Sequence, residues 1–83
     1  MANVHITGYT DRQAAQLHIA AHCRDGQYNP DKSVDDNISS QNMRCLVGMI
    51  ETGDITTDDL QAVGGIVLAA AVVKLLEKLQ DRS

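Results

Sequence analysis

Thr57-Asp58-Asp59-Leu60-Gln61-Ala62-Val63-Gly64-Gly65-Ile66-Val67-Leu68-Ala69-Ala70-Ala71-Val72-Val73-Lys74-Leu75-Leu76-Glu77-Lys78-Leu79-Gln80-Asp81 constrains everything else in the chain. From Ala62 to Val73 no side chain is polar. Thr56, Thr57, Asp58 and Asp59 supply a cap and two carboxylates for the positive end of a helix dipole. Glu77, Lys78 and Asp81 return the far end to solvent. The pattern predicts a helix over 57–81. Its uninterrupted apolar run falls short of the ~20 residues that span a bilayer, and Gln61 and Lys74 bracket it. It is therefore expected to be a buried, central helix, covered by its own neighbours or by a second copy. Gly64 and Gly65 each cost about 1 kcal/mol in helix propensity relative to Ala. Close packing is the expected compensation. Ala62, Gly65 and Ala69 would line the side on which another backbone approaches, including that of a homo-oligomer partner.

A chain of 83 residues forms one domain, and at that size a single core is marginal, which favours self-association. Hydrophobic residues make up 43%, yet Tyr9 and Tyr28 are the only aromatics. A core of Ala, Val, Leu, Ile and Met suits close helix packing better than a β-sandwich, so the expected fold class is all-α. The net charge is −4, with Lys and Arg scattered and forming no basic stripe. Binding a nucleic-acid backbone needs several cationic contacts with phosphate, so a direct nucleic-acid partner is disfavoured. An acidic surface suits a basic host protein, including an effector that itself holds nucleic acid. The candidate contact residues are Asp31, Asp35, Asp36, Glu51, Asp54, Asp58 and Asp59. Met-Ala-Asn-Val-His carries neither the basic nor the apolar region of a secretory leader. A cytoplasmic setting follows, with Cys23 and Cys45 as free thiols.

Working back through the chain, residues 1–9 read as an extended arm or short strand, with Val4 and Ile6 alternating against His5 and Thr7. Thr10 and Gln13 have capping-box spacing and open a helix over 10–24, which ends at Asp25-Gly26. Its less polar half carries Ala14, Ala15, Leu17, His18, Ile19, Ala21 and His22. Residues 27–37 read as an acidic loop, either a functional surface or a poorly ordered spacer. A second helix over 39–52 shows the clearest amphipathic stripe, Met43, Leu46, Val47, Met49 and Ile50, with Arg44 on the opposite side and Gly53 as terminator. The expected architecture is thus three helices with an N-terminal arm.

Sites of chemistry are sparse. His18 and His22, four apart and beside Cys23, have metal-ligand spacing, but only His5 and Cys45 remain to complete a tetrahedral site. Two half-buried histidines in a helix interface are expected instead. Neither cysteine has a His, Asn or Asp at motif spacing, and both are expected to act as small core residues. Asp31, Ser33 and Asp35 alternate as in a calcium loop, but Asp36 stands where that loop needs Gly and Asn42 where it needs Glu. Capping accounts for the carboxylates before the last helix. No phosphate loop or nucleophile elbow is present. The expectation is a non-catalytic binding protein without a cofactor or metal.

Ile6-Thr7-Gly8-Tyr9-Thr10-Asp11 resembles the opening of the small phage-encoded anti-CBASS cyclic-nucleotide sponges. That resemblance implies a helical protein that traps cyclic dinucleotides between subunits, with Tyr9 as the ring-stacking residue. In size and charge the chain also resembles the acidic anti-CRISPR proteins that phages and mobile elements carry against bacterial defence. Three functions are therefore expected in order: an inhibitor of a defence component acting by protein–protein contact, an oligomeric sponge for a cyclic nucleotide, and a small structural or assembly protein.

Overall fold

A computed structural model describes residues 7–81; of the arm expected over 1–9, residues 1–6 lie outside them and residues 7–9 form a turn and bend with no strand. The described residues form α1 (Asp11–Ala21), α2 (Val34–Asn37), α3 (Ser40–Thr52) and α4 (Thr57–Gln80), with no strand among them. The fold is all-α, with one more helix than the periodicity predicts. The extra element is the single turn α2, set inside the expected loop.

Each helix start has a local cause. The Gln13 N–H donates to Thr10 Oγ1 (3.1 Å) and the Thr10 N–H donates to Gln13 Oε1 (3.0 Å), completing the capping box of α1. Ser33 and Ser39 cap α2 and α3 through the Asp36 and Asn42 N–H groups. Thr56 caps α4 by accepting from the Asp59 N–H (3.2 Å). Ile38 and Ile55 each immediately precede a cap, and Met43 and Leu60 sit at the fourth helical positions beyond. All four are buried, so α3 and α4 both begin with the residue pair of a hydrophobic staple. Gly53, at φ 80°, ends α3 in a Schellman arrangement: the Gly53 N–H donates to Ile50 O (3.1 Å) and the Asp54 N–H to Met49 O (2.9 Å).

α4 is the spindle of the fold, since α1, α2 and α3 all pack on it. Ile19, Leu46, Leu60, Leu68 and Val72 are fully buried and make the centre of the core, with Ile38 and Ile55 sealing its ends. The Cα extents are 39 × 33 × 20 Å. The shortest dimension holds two helix layers at their usual ~8–10 Å separation. A helix in such a slab is covered on one side only. Ala62, Ile66, Val67 and Ala70 accordingly face outward, with Ile66 74% and Val67 68% exposed. By length and composition α4 is long and apolar enough to cross a membrane, with a mean hydropathy of 1.8 over its most apolar 18 residues. In this fold it is the element on which the others assemble.

The glycine pair departs from expectation. Gly65 takes φ 72° and ψ −168°, a region open essentially to glycine alone, and α4 bends there. A Cβ on Gly65 would meet nothing within 4 Å, so among the described residues no other element packs against that side of it. The close approach is at Gly64 instead. A Cβ there would lie 2.6 Å from Leu68 Cβ and 3.1 Å from Tyr28 Cζ. The bend draws Leu68 back toward Gly64, and the Tyr28 ring lies against the same spot. Because Gly65 breaks the helical phase, Ala62 and Gly65 are exposed whereas Ala69 is buried at 5%. The three residues do not form the single contact face that straight-helix spacing predicts.

The loop over 27–37 exposes Asp31, Asp35 and Asp36 and is tied together from within by an amide. Asn37, 4% exposed, holds it from inside. Its Oδ1 accepts from the Asn29 N–H (2.7 Å), and its Nδ2 donates to Asn29 O and Ser33 O (both 2.9 Å). Its carbonyl accepts from the Arg24 N–H (2.6 Å), tying the loop to the end of α1. Asn42 Nδ2 donates to His22 O (3.0 Å) and ties α3 to the same place. Among the described residues no buried side-chain nitrogen or oxygen lacks a partner.

Candidate functional site

His18, His22 and Cys23 gather at the end of α1. His18 and His22 are half-buried, as expected, with rings edge to face at 4.9 Å. His22 Nδ1 lies 2.8 Å from His18 O and donates to it in the matching tautomer. Burial holds the His18 pKa below its ordinary value, His22 pushes the same way, and Asp54 partly opposes them. Cys23 is buried, its Sγ 3.8 Å from Ile19 O, and burial pushes its thiol pKa up, away from the reactive thiolate. Cys45 is exposed on α3, contrary to the expected core position, because it falls just beyond the edge of the buried stripe Met43, Leu46 and Val47. The described residues hold no group of three or more His, Cys, Asp or Glu side chains arranged to bind a metal. His5 lies outside them.

The seven candidate carboxylates separate by burial. Asp31, Asp35, Asp36, Glu51 and Asp58 are exposed. Asp54 is half-buried, and its Oδ2 accepts from Thr52 Oγ1 (2.8 Å). Asp59 must be removed from the candidate surface. It is 7% exposed, and its Oδ2 accepts from the Thr56 N–H (2.9 Å) and Thr56 Oγ1 (3.1 Å). The N-terminus of α4 consumes that charge. The ion pair seen on the surface, Lys32 Nζ to Asp25 Oδ2 at 3.7 Å, involves none of the seven. Tyr9 is 50% exposed where the chain enters α1, directly after Gly8 at φ 89°.

A feature absent from the sequence reading lies between α2, the start of α3 and the second half of α4. There the surface sinks into a groove of about 520 Å³. Its apolar wall is Val34, Met43, Ala71 and Leu75. Arg44 and Lys74 also line it, both exposed and neither in an ion pair among the described residues. Asp35 is the one carboxylate in the lining, accompanied by the hydroxyls of Ser33 and Ser40. The first turn of α3 carries no acidic residue, whereas those of α1, α2 and α4 all do. Read singly, Arg44 belongs to the solvent side of α3 and Lys74 to the end of an apolar run. Only the crossing of the two helices puts both cations on one cavity. The missing acid at the start of α3 was the one sequence signal available. A smaller pocket of about 200 Å³, lined by Asp11, Arg12, Asp54 and Asp59 among others, sits between the start of α1 and the α3–α4 corner.

Compared with family models, curated proteins and solved structures, the chain matches none.

Proposed function

We propose that this chain is a non-catalytic binding protein which a phage or mobile element deploys in the host cytoplasm to block a bacterial defence component, as anti-CRISPR proteins do, by direct contact through its acidic surface. The state of the carboxylates supports this reading. Asp31, Asp35, Asp36, Glu51 and Asp58 are exposed and their carboxylates form no ion pair among the described residues, Arg24 Nε donating to the backbone carbonyl of Asp35 (3.4 Å). Glu51, Asp54 and Asp58 follow one another along residues 51–58 with no Lys or Arg between them. Unpaired surface carboxylates contribute little to folding, but they speed and select encounter with a basic partner such as an effector groove that normally holds phosphate.

The test is to purify the complex from the host and compare wild type with the Asp35→Lys/Asp36→Lys and Glu51→Lys/Asp58→Lys double variants. At least tenfold weaker binding is expected for one or both, together with release by added duplex DNA and steep weakening with salt. Binding unchanged by both charge reversals would refute contact through these carboxylates.

The half-exposed ring of Tyr9 favours the second reading, an oligomeric sponge stacking a cyclic nucleotide. A ligand bound only to the folded state raises Tm, so on that reading a cyclic dinucleotide raises it and Tyr9→Ala abolishes the rise. A structural or assembly protein responds to neither test. All three readings are compatible with self-association. The uncharged outward face Ala62, Gly65, Ile66, Val67 and Ala70 supports a second copy as its cover, since a face without charge needs no complementary chemistry to pair with itself.

A further inference from the structure

We propose that the groove between α3 and α4 binds a small amphipathic anion, a carboxylate or phosphate head on an apolar body, with Arg44 and Lys74 holding the head. The inference shares only Asp35 with the protein-contact reading, which uses the carboxylates. At about 520 Å³ the groove is of the size that accepts a drug-sized ligand, and its lining has the matching chemistry: an apolar wall with a few polar groups at its edge.

Charge selects the ligand. The chain holds seven Lys and Arg residues against 11 Asp and Glu, yet two cations and a single carboxylate line this cavity. Arg44 offers a planar fork of donors, and Lys74 a mobile point charge. Neither is neutralised by a neighbour among the described residues. Each carries a charged head on an apolar stem, so the two bring positive charge into a groove whose other wall residues are largely apolar. Asp35 disfavours a second anionic group at its end of the groove, which makes a ligand with one charged head the better fit. No aromatic ring lines the wall, so a stacked base has no platform there. An acyl-like body against Val34, Met43, Ala71 and Leu75 suits the site.

The experiment uses the full chain with decanoate, decyl phosphate, decanol and inorganic phosphate, each titrated below its aggregation concentration and followed by amide chemical shifts and calorimetry. Decanoate or decyl phosphate is expected to bind with shifts centred on residues 33–44 and 71–75, and the stronger of the two identifies the head group. Decanol and inorganic phosphate are each expected to bind at least tenfold more weakly. Arg44→Gln/Lys74→Gln should raise the Kd of the preferred anion at least tenfold while leaving helicity intact, because both side chains are exposed. Ala71→Leu should also weaken binding by filling the wall. Ile66→Lys, on the outward face of α4, should leave binding unchanged. Equal binding of decanol and decanoate, binding lost in Ile66→Lys, or binding retained in Arg44→Gln/Lys74→Gln would each overturn the assignment.

Discussion

Between Gln27 and Asn37 the chain is mostly polar, and its best-buried side chain is an amide. Between Ala62 and Val73 it is wholly apolar, and its best-exposed side chains are Ile66 and Val67. The contrast shows how little hydropathy alone says about position in a small domain. Asn37 goes inside because every polar atom it carries finds a backbone partner there, which removes most of the cost of burial. Ile66 and Val67 stay outside because, among the described residues, a slab two helices thick places no element on the far side of α4. Partner supply, rather than polarity, sorts the two regions.

The comparison can be broken most forcefully at Asn37. Asn37→Leu leaves the Asn29 N–H without its partner in a covered site and reduces Asn29 O and Ser33 O to the Lys32 and residue-37 backbone N–H groups alone, and a loss of about 3 kcal/mol in urea unfolding is expected. A loss under about 1 kcal/mol would mean that the loop is held by something other than this amide. Next comes the bend. Gly65→Ala forces a Cβ into a glycine-only conformation, and destabilisation of about 1–3 kcal/mol is expected. If the bend were incidental, the helix would straighten, alanine would gain about 1 kcal/mol in propensity, and stability would rise instead. The sign of the change therefore decides. The smallest effect on the single chain is expected at Ile66. Ile66→Lys touches no core side chain and should change stability by no more than about 0.5 kcal/mol. Its larger consequence should appear in light scattering, as loss of an assembled species that the parent shows at equal concentration. A parent already monomeric there would refute pairing through this face.

Legibility in the sequence followed the range of the interactions. The caps at Thr10 and Thr56, the stripe of Met43, Leu46 and Val47, and the stop at Gly53 are all local, within one or two turns, and the expected helices begin close to where the structure begins them. Asn37 was passed over because its bonds run to residues as far off as Arg24 and Asn29, a spacing no periodic pattern encodes. Gly64-Gly65 was readable as special but ambiguous in kind. A glycine that permits close packing and one that permits a left-handed bend look alike in a sequence, and here the two adjacent glycines do one job each. Leu17, placed on the inner half of α1 by the wheel, is 44% exposed, because the small residues Ala14 and Ala15 with Ile19 already fill that contact. The groove was unreadable for a similar reason. Arg44 and Lys74 come to line one groove only through the way α3 packs on α4.

The position of α4 in the order of the helices bears on how the protein is made. Translation delivers α1, α2 and α3 first, yet the surface on which all three rest is completed only when residues 66–80 have left the ribosome. Until then the earlier helices have no common floor and remain short amphipathic segments of marginal stability. Folding must therefore wait for release of the last helix, and a nascent chain halted before it exposes the inner faces of all its predecessors at once.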